Sequence, residues 1–369
     1  MIQTVSLSDI CTKITSGGTP LTKRDDYYGG GIPWLRTQEV NFGNIYSTEK
    51  TITELGLKNS SAKIIPEDSV IVAMYGATAG KSAINKIPLA TNQACCNLII
   101  DNNKADYRFV YYYLVNSYEK LLSAAVGAAQ QNLGSKQISA MTINLPSLSQ
   151  QKKIADILSS LDKKIELNRR MNETLEQLGQ ALFRHYFIDK AKQSNGNIQT
   201  IPLGKKFHPK RGRSLQARDM ICGDTPVISG GLKPAGFHNE ANTTTLVITI
   251  SASGANAGFV SVWGESVWSA DSSYIDSTTT KYVYTYYLFL KNKQKEIYDM
   301  QTGSGQPHIY PKHIELLEIA NLPDCDFNDF EQRVRPLFDM IHKNKKQIDY
   351  LSNIRDLLLP KLISGGIEV

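Results

Sequence analysis

Two stretches of the chain carry apolar residues at alternating steps of four and three. The first includes Ile154, Leu158, Leu161, Ile165, Leu175 and Leu182, and the second includes Leu337, Ile341, Ile348, Leu351 and Leu358. This spacing places one apolar stripe on each of two helices and is typical of a coiled-coil seam. Each helix would span about 30 to 40 residues, or roughly 45–60 Å. We expect these helices at residues 149–190 and 329–369, with Pro336 and Pro360 bracketing the second stripe.

Both predicted seams also contain polar residues. Asn168 and Asn172 lie in the first stripe, and Asn344 and Arg355 lie in the second. Polar seam residues fix the register of paired helices at some cost in stability. They favour pairing of the two helices with each other. The alternative is that each amphipathic helix only covers the core of its own domain.

The segments before the two stripes mix strands and helices. Residues 69–74 and 245–250 are β-branched runs that end at glycine-rich loops, which predicts strands. Residues 106–123 and 281–300 are rich in Tyr and typical of helices. Cys95 and Cys96 lie in an apolar run that predicts a buried strand. These patterns predict an α+β protein.

The chain also contains an internal repeat. Gly76–Gly80 (GATAG) returns as Gly254–Gly258 (GANAG), 178 residues later. Four further matches recur in the same order at offsets of 174 to 177: Tyr112–Leu114 with Tyr286–Leu288, Gly127 and Gln130 with Gly303 and Gln306, Lys136 and Ile138 with Lys312 and Ile314, and Leu145–Pro146 with Leu322–Pro323. Ordered matches at a nearly constant offset indicate two diverged copies of one unit. We assign a first domain to residues 1–148 with its helix at 149–190, a polar linker to 191–200, and a second domain to 201–328 with its helix at 329–369.

Composition adds a few constraints. The 369 residues are 41% hydrophobic and 21% charged, which excludes collagen-like and wholly disordered classes. The formal net charge of +6 permits a polyanionic partner without requiring one. We expect no secretory signal and no membrane-spanning segment, because no apolar stretch is long enough. Five cysteines without a C-x-x-C pair predict reduced thiols, a cytoplasmic location and no zinc site.

The most prominent local motif is Gly76–Ser82 (GATAGKS), which resembles a phosphate-binding P-loop. That loop needs four residues between its glycines, and here there are three. Ile84–Pro88 would halt the helix that should follow, so a nucleotide-binding enzyme is only the alternative, and a tight turn or a close backbone approach explains the glycines better. No G-x-S-x-G, H-E-x-x-H or N-P-P-[YF] signature is present. We therefore expect no catalytic residue and no metal site in this chain.

Basic and hydrogen-bonding side chains occur in matching loops of both copies. Six Lys or Arg and no acidic residue lie between Ile201 and Arg218. Cationic side chains neutralise phosphates, and Arg, Gln, Asn, Ser and Thr can read base edges, although a solvated basic surface is the plainer explanation for any single residue. The candidates for DNA contact are Lys23, Arg24, Arg36, Thr37, Lys81, Asn92, Gln130, Gln131 and Lys136 in the first copy, and Lys210, Arg211, Arg213, Lys233, Asn256, Gln306, His308 and Lys312 in the second.

The ordered, duplicated set of motifs resembles the specificity subunit of type I restriction-modification systems, over the whole chain. The residues that carry the resemblance are Gly31–Trp34 with Arg36, Gly76–Lys81, Asn92–Ala94, Gly127–Leu133, Leu145–Pro146 with Gln150 and Gln151, and Leu358–Lys361. Each motif alone is weak, but their order and duplication make the set specific.

The resemblance implies two similar α/β target-recognition domains separated by two long helices that form an antiparallel coiled coil. Each domain would read one half of a split double-stranded DNA sequence. The implied partners are two methyltransferase subunits, which methylate adenine with S-adenosylmethionine, together with restriction subunits in some systems. Cofactors and catalysis would then belong to those partners and not to this chain.

Physical arguments add two expectations about the DNA target. Two domains that dock on one face of B-DNA lie about one turn, or ~34 Å, apart, which leaves a gap of roughly 6 to 7 bp between short half-sites. The copies also differ in length, with 69 positions from Leu7 to Gly76 but 51 from Leu203 to Gly254. Trp34–Thr37 aligns only loosely with Val227–Gly230, so we expect an asymmetric target. A coiled-coil scaffold that binds only proteins remains a further alternative.

Overall fold

The computed structural model describes residues 3–125, 133–189, 199–303 and 305–369. The chain divides into two compact units. Unit 1 comprises Met1–Glu166 and Asp349–Val369, and unit 2 comprises Leu167–Ile348. Each unit therefore contains part of both long helices.

Unit 1 is built from short strands and helices followed by the start of the first long helix. Its strands are β1 (Gln3–Ser6), β2 (Cys11–Ser16), β3 (Tyr28–Leu35), β4 (Asn44–Ile45), β5 (Lys50–Ile52), β6 (Ile64–Ile65), β7 (Val70–Ala73), β8 (Ser82–Asn85), β9 (Leu89–Thr91), β10 (Cys95–Ile100) and β11 (Thr142–Leu145). Its helices are α1 (Glu54–Lys58), α2 (Tyr107–Asn116), α3 (Tyr118–Ala125) and α4 (Ser135–Ser139), and α5 (Leu148–Phe183) begins here. Short 3₁₀ turns lie at Leu7–Ile10, Asp25–Tyr27 and Thr37–Glu39.

Unit 2 repeats this order with fewer elements. Its strands are β12 (Thr200–Pro202), β13 (Lys210–Arg211), β14 (Thr225–Ile228), β15 (Gly236–His238), β16 (Val247–Ser251), β17 (Val260–Trp263), β18 (Trp268–Ser269), β19 (Ser272–Asp276) and β20 (Glu318–Ala320). Its helices are α6 (Val283–Asn292), α7 (Gln294–Asp299), α8 (Pro311–Glu315) and the larger part of α9 (Asp324–Ile363). A π-helical turn at Arg184–Asp189 follows α5, and 3₁₀ turns lie at Leu203–Lys205 and Ala217–Asp219.

The strand order confirms the internal repeat. One sheet of unit 1 has the order β2-β10-β7-β8-β4, and its counterpart in unit 2 has the order β13-β19-β16-β17. In the second sheet of each unit, β3 pairs parallel with β9, and β14 pairs parallel with β18. Trp34 and Val227 occupy matching positions in these pairs, as the loose alignment predicted. The β-branched runs form β7 and β16 as predicted, because both are buried along their whole length.

The long helices contribute to the core of each unit. In unit 1, Ile154 and Leu158 of α5 and Leu362 of α9 pack with the sheet and α2. In unit 2, Phe183 at the end of α5 and Phe330 near the start of α9 pack with α6. The first part of each helix covers the core of its own domain, but the last part packs in the other unit, so the alternative that each helix only covers its own domain is correct for the first parts alone.

The two helices also pair with each other through the predicted polar seam residues. In unit 1, Arg355 Nη1 donates to Asp162 Oδ1 at 2.8 Å. In unit 2, Asn168 Nδ2 donates to Gln347 Oε1 and Asn344 Nδ2 donates to Asn172 Oδ1, both at 2.9 Å. The contacting residue numbers increase along α5 while they decrease along α9, so the two helices pair in antiparallel orientation. None of the predicted seam residues is exposed: Ile154, Leu158, Ile165 and Ile341 are buried, and Leu161, Leu175, Leu182, Leu337, Ile348, Leu351 and Leu358 are half-buried.

The expectation that prolines bracket the second helix is wrong. Helix α9 begins at Asp324, five residues before the expected start, and runs through both Pro336 and Pro360 to Ile363. A proline inside a helix costs about 3 kcal/mol, because it lacks the N–H donor and crowds the preceding turn. Burial of Val334 and Phe338 around the first proline, and of Leu359 and Leu362 around the second, offsets that cost.

Candidate nucleic-acid interface

The duplicated glycine loop is a tight turn with the same hydrogen bonds in both units. Gly76 and Gly80 have φ values of 86° and 80°, and Gly254 and Gly258 have 79° and 88°. Gly80 N donates to Ala73 O at 2.9 Å, and Gly258 N donates to Ser251 O at 2.7 Å. These left-handed conformations suit glycine because it lacks a Cβ. The loop is followed by strand β8 in unit 1 and by strand β17 in unit 2, whereas a P-loop is followed by a helix. This geometry argues against the nucleotide-binding alternative.

The central residue of each glycine loop anchors a second loop. Thr78 Oγ1 donates to Thr37 O at 2.8 Å in unit 1. Asn256 Nδ2 donates to Gly230 O at 3.4 Å in unit 2. Thr37 and Gly230 both follow the strands β3 and β14, which occupy matching places in the repeat. Each unit therefore joins the same two loops through a side chain that differs between the copies.

Three candidates of unit 1 meet at this junction. Thr37 Oγ1 donates to Asn92 Oδ1 at 2.9 Å, and Asn92 N donates to Leu35 O at 2.9 Å. Thr37 is buried, so its side chain supports the junction and does not face a ligand. Arg36, which precedes Thr37, lies at this junction, and its guanidinium contacts the carboxylates of Glu39 and Glu49.

Lys81 is a cation that meets only neutral partners among the described residues. Its Nζ donates to Asn41 Oδ1 at 2.6 Å and lies 5.7 Å from the centre of the Phe42 ring. Phe42 has a φ of 61°, which turns the chain sharply at this point. An ammonium group held in place without a carboxylate partner suits a phosphate contact.

The other candidates of unit 1 are scattered. Lys23 and Lys136 are exposed. Arg24 donates from Nε and Nη2 to the carboxylate of Asp26 at 2.8 and 2.7 Å. This hydrogen bond to Arg24 lowers the pKa of Asp26 below its ordinary value. Arg24 is therefore already satisfied by its neighbour. Gln130 and Gln131 lie outside the described residues.

In unit 2, Arg211 and His308 lie beside the glycine loop. Arg211 Nη2 donates to Asp271 Oδ1 at 2.9 Å, and Ser253 Oγ donates to Asp271 Oδ2. Ser253 forms an isolated β-bridge with His308, whose ring stacks on Tyr310 at 5.9 Å between centroids. These contacts bring together a cation, an acid and two rings.

Lys210 instead faces the other end of strand β19. Its Nζ donates to Thr278 Oγ1 at 2.6 Å and lies 3.8 Å from Asp276 Oδ1. Burial of Asp276 raises the pKa of its carboxyl, but hydrogen bonds from Thr278 and Thr244 and the charge of Lys210 outweigh burial and hold that pKa below its usual value. Arg213, Lys233, Gln306 and Lys312 are exposed, and no ion pair involves them in the part of the chain that the structure describes.

Sequence reasoning missed the acidic and aromatic members of these clusters. Glu39, Glu49 and Asp271 lie against candidate arginines, and the exposed Tyr310 stacks on His308. The candidates were chosen as basic and amide side chains that could contact DNA, and carboxylates do not meet that criterion. The closeness of Glu39 to Arg36 in the sequence was the one available signal.

Two negative findings apply to the described ranges alone. They contain no group of three or more His, Cys, Asp or Glu side chains that could hold a metal ion. No helix within them is long and apolar enough to span a membrane. All five cysteines are free thiols, and burial raises the pKa of Cys95 and of Cys96 to about 12.

Comparison with known proteins shows what the chain is similar to. A family model described as the type I restriction modification DNA specificity domain matches residues 2–177. The type I restriction enzyme MjaIX specificity subunit of Methanocaldococcus jannaschii is 28% identical over 396 residues, which cover 97% of this chain and 91% of that protein. The type I restriction enzyme HindI specificity subunit of Haemophilus influenzae is 35% identical over 122 residues, which cover 32% of this chain and 26% of that protein.

A solved structure shows that the fold is shared over nearly the whole chain. The S subunit of a type I restriction-modification system from M. genitalium matches with a TM-score of 0.69 and 19% sequence identity, covering 98% of this chain and 96% of that chain. Residues 2–177 therefore match the type I restriction modification DNA specificity domain, and the chain as a whole is similar to the specificity subunits of type I restriction enzymes.

Proposed function

We propose that this chain reads a split, asymmetric DNA sequence and directs a type I adenine methyltransferase to it. Each unit reads one half-site through the loops around its glycine turn, and the paired helices set the gap between the half-sites. Two methyltransferase subunits with S-adenosylmethionine, and restriction subunits where a system has them, supply the chemistry. The chain itself contributes binding and no catalysis.

The duplicated junction is the observation that carries this proposal. In both units, the loop-centre residue Thr78 or Asn256 anchors the loop after β3 or β14. The surrounding side chains differ, with Arg36 and Asn92 in unit 1 and Arg211 and His308 in unit 2. A shared frame with different hydrogen-bonding side chains suits two domains that read unrelated base pairs.

The helix pair supports the proposed spacing role. Its seam is held by polar contacts at defined positions, such as Asn172 with Asn344 and Asp162 with Arg355. Polar seam contacts specify one register, because any slip leaves these groups unpaired. A flexible linker would allow a range of gaps, whereas a helix pair in a single register allows one.

DNA binding by the full chain, assembled with its methyltransferase subunits, tests the proposal. We expect selection from randomised duplexes to yield one specific sequence, with an affinity that falls steeply as salt rises. Lys81→Gln should weaken binding to all sequences about equally and lower the salt slope by about 1, because a phosphate contact is lost. Lys104→Gln is the matched control. Lys104 Nζ donates to Asp9 O at 2.9 Å near the end of β10 that is farther from the glycine loop.

Two outcomes would overturn the proposal. An assembly that selects no sequence, or whose DNA binding does not respond to salt, would favour the scaffold that binds only proteins. An equal loss of affinity and salt slope in Lys81→Gln and Lys104→Gln would remove the glycine-loop face from the DNA interface.

A further inference from the structure

We propose that Arg36, oriented by Glu49, reads the guanine of one G·C pair in the half-site recognised by unit 1. This inference rests on the proposed function and deepens it, because it names a base pair and assigns a role to an acidic residue. Its basis is the polar cluster formed by Arg36, Gln38, Glu39 and Glu49.

Glu39 fixes the backbone of the two loops that carry the pair. Its Oε1 accepts from Arg36 N at 2.9 Å, and its Oε2 accepts from Glu49 N at 2.8 Å. Its side chain is largely buried, with 11% exposed. One carboxylate thus holds both Arg36 and Glu49 in place before any ligand binds. Such preorganisation lowers the entropic cost of recognition.

Glu49 and Gln38 orient the guanidinium itself. Arg36 Nη2 donates to Glu49 Oε2. The Gln38 amide, assigned by its hydrogen-bond network, accepts from Arg36 Nη2 at 2.8 Å and from Nη1 at 3.2 Å. The Glu49 side chain is 63% exposed and the Arg36 side chain 24% exposed, so the pair reaches the surface. The Nε–H of Arg36 is buried without a partner, so the donors available to a base are those of Nη1, whose one contact is the exposed Gln38.

The charge of this cluster argues for a base contact over a phosphate contact. Two carboxylates against one guanidinium leave the cluster with one excess negative charge. Such a site repels phosphate, whereas base edges in the major groove are neutral. Guanine presents O6 and N7 together, and an oriented arginine can donate to both. The neighbouring Lys81, which meets only neutral groups, is the better phosphate contact.

Arg36 also lies at the duplicated junction. The next residue, Thr37, accepts from Thr78 of the glycine loop and donates to Asn92. Unit 2 has an arginine–acid pair beside its own glycine loop, formed by Arg211 and Asp271. That second pair provides an internal control, because a change in one unit should alter only one half-site.

The test compares base preferences of the full chain in its methyltransferase assembly, by selection from duplexes randomised at one target position at a time. Glu49→Gln should lower the preference for G·C about tenfold at one position of one half-site, and Arg36→Lys should remove it. The effect of Glu49→Gln should vanish in the Arg36→Lys background, because the acid acts through the arginine. Glu67→Gln, at an exposed acid of the same unit, should leave the preferences unchanged, and Asp271→Asn should affect only the other half-site.

Three results would overturn the inference or its foundation. If Glu49→Gln raises affinity for all sequences equally while base preferences stay constant, Glu49 only repels phosphate. If the G·C preference survives in both Glu49→Gln and Arg36→Lys, another residue reads that base pair. A wild-type chain that selects no sequence would instead contradict the proposed function itself. Melting temperatures of the variants check that each remains folded.

Discussion

At the scale of single residues, several charged side chains pair with partners that are distant in sequence. Arg355 bonds to Asp162, which also accepts from Tyr112 Oη at 2.6 Å. Arg36 meets Glu49 because the β3–β5 pairing brings the two loops together. The heptad pattern predicted that Asn168, Asn172, Asn344 and Arg355 would lie in a seam. It could not predict their partners, because a partner depends on the register between helices and not on local spacing.

His342 is a half-buried titratable group whose Nε2 is buried and has no hydrogen-bond partner among the described residues. Its ring lies so close to Gly264 that a Cβ there would be 2.5 Å from the His342 Cγ, and it faces the Tyr284 ring at 6.1 Å. Burial, aided by the charges of Lys345 and Lys346 and opposed by Asp339, lowers the pKa of His342 to about 4. Folding therefore favours the neutral imidazole.

This lowered pKa predicts a loss of stability in mild acid. The unfolded chain binds the proton on this imidazole more tightly than the folded chain does. The stability that the neutral His342 gives the folded state is therefore complete above pH 6.5 and is lost as the pH falls toward 4. We expect the free energy of unfolding to drop by about 1–2 kcal/mol between pH 7 and pH 5 from this residue. Urea unfolding of wild type and His342→Gln at both pH values measures it. An identical pH dependence in the two proteins would contradict the assignment.

At the scale of elements, the repeated glycine turn was predictable and the helix ends were not. The GATAG and GANAG motifs after β-branched runs predicted tight turns, and both turns form with matching hydrogen bonds. Helix α9 runs through two prolines because burial of its apolar face outweighs a local preference. The loop around Arg36 was predicted as a candidate contact, but the role of the acids around it depends on a junction of three loops.

The two glycines of the unit 2 turn should differ in their tolerance of a side chain. Both have positive φ, so alanine at either position costs about 1 kcal/mol from backbone strain. A Cβ at Gly254 would meet no atom within 4 Å, whereas a Cβ at Gly258 would lie 2.8 Å from Ile297 Cγ2. We expect Gly258→Ala to lower the free energy of unfolding by about 2–3 kcal/mol, clearly more than Gly254→Ala. Equal losses in denaturant titrations would show that packing against Ile297 is unimportant.

At the scale of the whole molecule, duplication followed by divergence gives one chain two related units with different loops, which is what the proposed reading of two unrelated half-sites requires. The strand order is shared, but β4, β6 and α1 of unit 1 have no counterpart among the described residues of unit 2. These extra elements explain the longer spacing before the first glycine loop. The repeat and the helix pair were predictable, because the repeat shows as ordered motifs at a nearly constant offset and the helix pair as apolar residues at steps of four and three. The way each long helix is shared between the units was not, because it depends on long-range packing.

The central claim is that a helix pair in one register separates two domains that read different half-sites. Sequencing of methylated adenines in cells that carry this chain with its methyltransferase subunits tests it most directly, through the distribution of gap lengths among the modified sites. We expect two unrelated blocks of bases separated by a single gap of roughly 6 to 7 bp. A palindromic target, one uninterrupted block, or the same half-sites at several gap lengths would contradict the account.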